Sequence, residues 1–403
     1  MTDKQSILKD RIKALAEEYA KDLVAIRRHL HANPELSFEE FKTASFVAEQ
    51  LRSYGLQPKE GIAETGLTVV IEGKDASSKT IALRADMDAL PIEESNDVPY
   101  KSQNKGVMHA CGHDVHTTSL LGTARILQHL KSDFTGSIKL LFQPGEEKIP
   151  GGASLMIEAG VLQNPSPSHI MGQHVMPLID VGQVGFREGM YMASADEIYL
   201  TVKGKGGHAA APETLVDPVV IAAQIIMGLQ QIVSRNANPK IPSVLSFGNI
   251  IGKGATNVIP DEVKIDGTFR TLNEKWRSEA KQRIKQMAQS IAEGMGGSCE
   301  VTILDGFPYL ENQPELTSRA RSSAESYLGP ENVLDLDLWM ASEDFAFYSQ
   351  HLDACFYRLG VRNEAKGITS MVHTPTFDID EKALEIGAGL MTWLAIEELA
   401  YAG

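Results

Sequence analysis

The segment IKLLFQPGEE, residues 138–147, joins a short apolar run to a turn and two adjacent carboxylates. A run that short, closed by proline and glycine, reads as a buried strand rather than a helix. Three similar runs precede or follow it: LTVVI at 67–71, IALRA at 81–85 and SHIMG at 168–172. Helical stretches at about 114–131 and 152–160 lie between the later runs. Strands alternating with helices predict an α/β sheet covered on both faces, with its site at the carboxyl ends of the strands. Polar clusters directly follow three of the runs, as that rule requires.

Outward from this core, Leu8, Ile12, Leu15, Tyr19, Leu23, Ile26 and Leu30 recur at three- and four-residue steps and predict a first helix. A second is expected from Glu39 to Tyr54, ended by Gly55. The pattern changes between 188 and 305. An alternating strand (Ile198, Leu200, Val202) leads to a helix at 216–233 and strands at 243–250 and 262–270. A helix carrying Trp276, Ala280, Ile284, Met287 and Ile291 on one face follows, then a strand at 298–304. The order βαββαβ is that of a ferredoxin-like domain. We therefore expect a mixed-sheet α/β domain formed by residues 1–187 and 306–403, interrupted by an inserted domain at 188–305.

A chain of 403 residues is long enough for two such domains. Its net charge of −15 argues against nucleic acid and anionic membranes as partners. The beginning of the sequence lacks an apolar signal region, and no run of about 18 apolar residues predicts a membrane span. Three cysteines, Cys111, Cys299 and Cys355, suit a reducing compartment better than a disulfide framework. A cytoplasmic protein is expected.

The densest chemistry lies in MHACGHDVHT, residues 108–117, where Cys111 and His113 stand two apart and can face one ion from an extended turn. Cysteine and histidine suit zinc and similar transition metals. The bland alternative is a buried cysteine beside polar loop histidines. Glu146 and Glu147 repel each other unless a cation or shared proton compensates; one can ligate while the other stays free as a base. A solvated acidic turn is the commoner fate of such a pair. His174 follows the run at 168–172 and His373 lies in VHTP far downstream; a lone histidine is more often structural than a ligand. Asp86 and Asp88, at another strand end, could ligate metal or orient a ligand histidine. Five candidate ligands and a spare carboxylate suffice for two ions about 3.5–4 Å apart.

Taken together these strings resemble a known family of bacterial aminoacylases, hippurate hydrolases, N-acetyl-diaminopimelate deacetylases and plant auxin-conjugate hydrolases. Its wider relatives are dinuclear metallopeptidases such as glutamate carboxypeptidase and acetylornithine deacetylase. The matching segments are RRHLHANPELSFEE (27–40), ADMDALPIEE (85–94), MHACGHDVHT, QPGEE (143–147), GKGGHAAAPE (204–213), NVIPDE (257–262), ASEDFAFY (341–348) and HTPTFDID (373–380). One departure stands out: Gly145 replaces the family's usual alanine, in the turn that aims Glu146. The resemblance implies that Cys111, His113, Glu147, His174 and His373 are metal ligands, with Cys111 the bridge, and that Glu146 is the general base. It further implies that His208 reaches the scissile carbonyl from a lid, in relatives from the partner subunit of a homodimer. Asn257 and Arg270 would hold the substrate's carbonyl or carboxylate. The guanidinium fork of Arg270 suits a carboxylate, although a surface strand arginine is the plain alternative.

The expected activity is a metal-dependent amidohydrolase acting on N-acyl amino acids, using two divalent ions: zinc or manganese, with nickel or cobalt possible. Glu146 would activate a water and pass its proton to the leaving amine. A dipeptidase or carboxypeptidase of the same superfamily is the nearest alternative. A non-catalytic metal or ligand binder has no need of the spare Glu146, and a structural zinc module would favour a closed four-ligand set at short spacings.

Overall fold

The computed structural model describes residues 3–401. Its contacts divide the chain into two compact units, one made of residues up to Gly189, Glu311–Asp337 and Asp344 onward, the other of Met190–Leu310 and Leu338–Glu343.

The first unit is built on an eight-stranded mixed sheet. Its strands are β1 (Lys59–Ile62), β2 (Gly66–Glu72), β3 (Thr80–Asp86), β4 (Ser137–Gln143), β5 (His169–Asp180), β6 (Val184–Phe186), β7 (Val333–Asp335) and β8 (Asp353–Arg362). They lie in the order β1-β2-β4-β3-β5-β8-β6-β7. The central strands β4, β3, β5 and β8 are mutually parallel, whereas β2 and β6 run against their neighbours β4 and β8. Central strands covered on both faces read as continuous apolar runs, which is why β3 and β4 are buried at every position. The strand expected at 168–172 runs on to Asp180, so His174 lies within β5 rather than after it.

Helices α1 (Asp3–Ala32), α2 (Phe41–Ser53) and α3 (His113–His129) contribute, with the helix Lys382–Ala400, to the main apolar core. The predicted stripe of α1 is buried at Ile12, Leu15, Tyr19, Leu23, Ile26 and Leu30. Beside that stripe, α1 also carries buried polar groups. Arg27 Nε donates to Asp114 Oδ2 at 2.9 Å, and His31 Nδ1 meets the same oxygen at 2.7 Å. Those contacts tie α1 to the first turn of α3, immediately beside His113.

The second unit has the order βαββαβ: strand Asp196–Lys203, helix Pro218–Gln231, strands Ser243–Ile251 and Glu262–Thr271, helix Glu274–Gly294, strand Ser298–Asp305. Its four-stranded sheet is antiparallel, with Ser243–Ile251 and Ser298–Asp305 at the edges. Asp217 caps the first helix and Asn273 the second, as short acceptor side chains do at helix starts. The segment Pro218–Asn236 is long and apolar enough to cross a membrane by length and mean hydropathy (1.2). Its Ile221, Ala222, Ile225 and Leu229 belong to one apolar cluster with the sheet, and about a third of the apolar window is buried.

Candidate functional site

Backbone geometry brings the candidate ligands together. Gly112 precedes α3 at φ 82°, and a Cβ there would come within 2.6 Å of Val175 Cγ2. Glycine alone makes that turn without steric cost. His373 also has a positive φ, 61°, and its N–H is pinned to the Ala110 carbonyl at 2.8 Å. Cys111 Sγ then lies 3.4 Å from His174 Nε2 and 3.3 Å from His373 Nε2. Glu147 Oε1 is 3.2 Å from His373 Nε2 and 3.9 Å from His113 Nε2. Two sets of donor atoms, Cys111–His113–His174 and Cys111–Glu147–His373, each fall within 4.8 Å and share Cys111.

Two observations show that these residues fit divalent cations. His113 Nε2 and Glu147 Oε1 are buried, yet no hydrogen bond of sound geometry reaches either among the described residues; buried polar atoms are rarely left so. The electrostatics agree. Burial, with the carboxylates of Glu147, Glu146 and Asp86, drives the Cys111 thiol well above its ordinary range. Burial and Arg358 hold the His174 imidazole well below its own. Burial opposes protonation of His113, but Asp86 and Asp88 outweigh it and push that imidazole up to about 10. Clustered carboxylates thus favour positive charge at this spot. Thiolate, imidazole and carboxylate are the donors that zinc-class ions accept.

A further ring of hydrogen bonds aims these donors. Asp88 Oδ1 lies 3.0 Å from His113 Nδ1, while its Oδ2 accepts from the Ser37 hydroxyl at 2.6 Å and the Glu147 N–H at 3.0 Å. With Nδ1 committed, His113 is left with Nε2 for the centre. Asp86, considered in the sequence as a ligand or a ligand's support, lies 2.5 Å from His116 Nδ1. His116 Nε2 in turn accepts from the N–H of Val175, next to His174. Arg84, which the sequence did not single out, donates to Asp86, Gln143 and Asp344. The N–H of Asp344 then reaches Glu146 Oε1 at 3.3 Å. Asp344 lies in the segment ASEDFAFY, so its motif was visible although its role was not.

His208, Asn257 and Arg270 belong to the second unit. His208 is exposed on a two-residue strand paired with Val258, and the carbonyl of Asn257 accepts from the N–H of Ala209. Arg270 is half-buried on Glu262–Thr271 and donates to the Met340 carbonyl at 3.2 Å. Burial lowers its pKa.

Known proteins resemble this chain in sequence and fold. The model of peptidase family M20/M25/M40 matches residues 82–397. The chain is 41% identical over 364 residues to the N-acetyl-L-cysteine deacetylase of Bacillus subtilis, which covers 90% of this chain and 85% of that one. It is 39% identical over 395 residues to thermostable carboxypeptidase 2 of Saccharolobus solfataricus, covering 97% and 98% of the two. A solved Bacillus subtilis structure, described as a dinuclear metal binding peptidase from the M20 family, matches with a TM-score of 0.83 at 33% identity. That match covers 96% of this chain and 100% of that one. The agreement extends from the strands under the metal-fitting cluster to nearly the whole chain, and the protein accordingly belongs to peptidase family M20/M25/M40, as a metal-dependent amidohydrolase for two divalent ions.

Proposed function

We propose that the protein hydrolyses N-acyl amino acids to a carboxylic acid and a free amino acid. The observation that carries this reading is Glu146. It is a buried carboxylate beside Glu147 that stands outside both donor sets sharing Cys111, although its oxygen also falls within 4.8 Å of donor atoms of His113 and Glu147. A protein that only binds metal has no use for it. In this reading Cys111, His113, Glu147, His174 and His373 hold the two ions, with Cys111 shared. Zinc or manganese suits that donor set, and cobalt or nickel would also be accepted. When bound, the ions acidify a water and polarise the amide carbonyl.

The chain's own groups do the rest. Glu146, held by the Asp344 N–H, takes the proton of the attacking water as the carbon–oxygen bond forms. It delivers that proton to the amide nitrogen as the carbon–nitrogen bond breaks. His208 steadies the negative charge that develops on the carbonyl oxygen, acting on the neighbouring chain of a homodimer. Arg270 and Asn257 hold the substrate's carbonyl or carboxylate. The Arg270 guanidinium forms no ion pair with a carboxylate among the described residues, so its fork is available to one from the substrate. The dimer reading is supported by two sheet edges in the second unit and by exposed Val219, Val220, Met227 and Ile250. A cytoplasmic location fits the sparse unpaired cysteines.

A second reading, dipeptide or C-terminal peptide hydrolysis, is favoured by the likeness to the archaeal carboxypeptidase. A hydrolysis screen separates the two: N-acetyl and N-benzoyl amino acids beside dipeptides, with zinc or manganese added to stripped protein. Turnover confined to the acyl amino acids supports the proposal. Turnover confined to peptides refutes it, and no turnover with metal fully bound leaves a binding protein.

A further inference from the structure

The segment Glu35–Glu40 has no part in the chemistry above, yet it braces the loop that carries it. The peptide N–H groups on either side of Glu146 are each held by a carboxylate. Glu147 N–H donates to Asp88, which also accepts from Ser37. Gly145 N–H donates to Glu40 Oε1 at 2.8 Å. The same Glu40 oxygen accepts from the Phe38 N–H at 2.9 Å, and Oε2 accepts from the Thr65 hydroxyl at 2.7 Å. Glu40 is fully buried, and among the described residues no ion pair involves it. Leu36 bridges to Ala89, and the Ala89 N–H donates to the Glu35 carbonyl at 2.8 Å. One short segment therefore reaches both strand-end loops.

The fit at Gly145 is close. Gly145 adopts φ +56°, and a Cβ on it would lie 2.3–2.8 Å from three carbons of the Phe38 ring. Phe38 itself sits at φ 67°, a left-handed conformation that costs a non-glycine residue energy. The ring occupies the space that a Cβ at this position would claim. A strained residue retained against a catalytic turn signals a constraint on that turn.

We propose that Glu40 and Phe38 are positioning residues: Glu40 holds the turn that aims Glu146 and Glu147, and Phe38 packs against Gly145 in place of a side chain there. The inference rests on Glu146 and Glu147 serving as base and ligand. Glu40→Ala leaves the Gly145 N–H without its acceptor and frees the turn. Glu40→Gln keeps an acceptor for Gly145 and Phe38 and offers its amide N–H to the Thr65 hydroxyl, which can accept.

The test uses full-length protein, the best substrate of the hydrolysis screen, and zinc affinity by chelator competition. Glu40→Ala is expected to lower kcat by about tenfold to a hundredfold with KM little changed, the scale of a misplaced catalytic group. Zinc affinity should fall by about tenfold, and Glu40→Gln should restore both to within about threefold of wild type. Gly145→Ala should lose activity and zinc affinity, and Phe38→Ala should reverse sign: harmful alone, partly restorative with Gly145→Ala, whose φ of +56° still strains a side chain once the ring is gone. A Glu40→Ala protein with a lower melting midpoint but unchanged kcat and zinc affinity overturns the proposal. So does a Gly145→Ala defect that Phe38→Ala does not relieve, and this pair decides the matter if Glu40→Ala fails to fold. Glu146→Gln run alongside keeps the two ideas apart. Its retained turnover would remove the base, while the zinc measurements would still test the brace.

Discussion

Replacing Asp88 by asparagine changes one atom and leaves no orientation that satisfies its neighbours. Asp88 is buried, yet the His113 contact, the Ser37 hydroxyl and the Glu147 N–H outweigh burial and hold its carboxyl below its ordinary pKa. As an anion it accepts on both oxygens. If the new side chain keeps its oxygen toward His113, its NH2 faces the N–H of Glu147, donor against donor. If it turns around, the NH2 faces His113 Nδ1, which must then accept. The imidazole proton moves to Nε2, the nitrogen that the proposed ligand role needs free. Either way one buried polar group goes unmatched, at about 1–3 kcal/mol. At about 1.4 kcal/mol per factor of ten, zinc affinity should fall roughly tenfold to a hundredfold. Chelator competition on purified Asp88→Asn at fixed pH measures this, with metal-free melting as a control for folding. Affinity within about twofold of wild type would refute the claim that Asp88 sets the His113 tautomer.

Three further outcomes follow from the same contacts. Cys111→Ala and His373→Ala should each lose metal and activity together, checked by elemental analysis beside kinetics; a full metal complement with normal rates would remove that residue from the ligand set. Burial, reinforced by Asp88, pushes the Glu40 carboxyl up to about 7 from its ordinary 4.5. The folded chain therefore binds this proton more tightly, and the stability so contributed is full below 4.5 and lost as pH rises through about 7. Metal-free Glu40→Gln, which cannot ionise, should gain on wild type by up to about 3 kcal/mol between roughly pH 5 and 8 in urea unfolding; a gain that shrinks over that range would contradict it. Mixing inactive Glu146→Gln and His208→Ala chains should restore activity once subunits exchange, because one site of each mixed dimer then holds both intact residues. No recovery despite proven exchange would place His208 on its own chain.

Much of the frame is legible in the sequence because strand and helix periods are local properties. The apolar runs at 81–85 and 138–142 become fully buried parallel strands, and the alternation of Val263, Ile265 and Phe269 becomes the buried face of Glu262–Thr271. The end of β5 was misplaced because polar Gln173 and His174 interrupt the apolar pattern, although both are buried in the strand. The assembly of Cys111 with His174 and His373 was anticipated from motifs, but its supports were not. Arg84 and Asp344 meet across 260 positions, and no local period marks such a pair. Gly145 showed in the sequence only as a departure from pattern. Its setting, a left-handed turn against the Phe38 ring, needs the fold.

The central claim is that Glu146 moves the proton while other side chains hold the ions, and Glu146→Gln tests it most directly. Metal content by elemental analysis and turnover of an N-acyl amino acid should be measured on one preparation. The expected result is close to two ions per chain, as in wild type, with kcat lower by about a hundredfold or more, the scale of lost general-base catalysis. Near-normal turnover with that metal content would contradict the account.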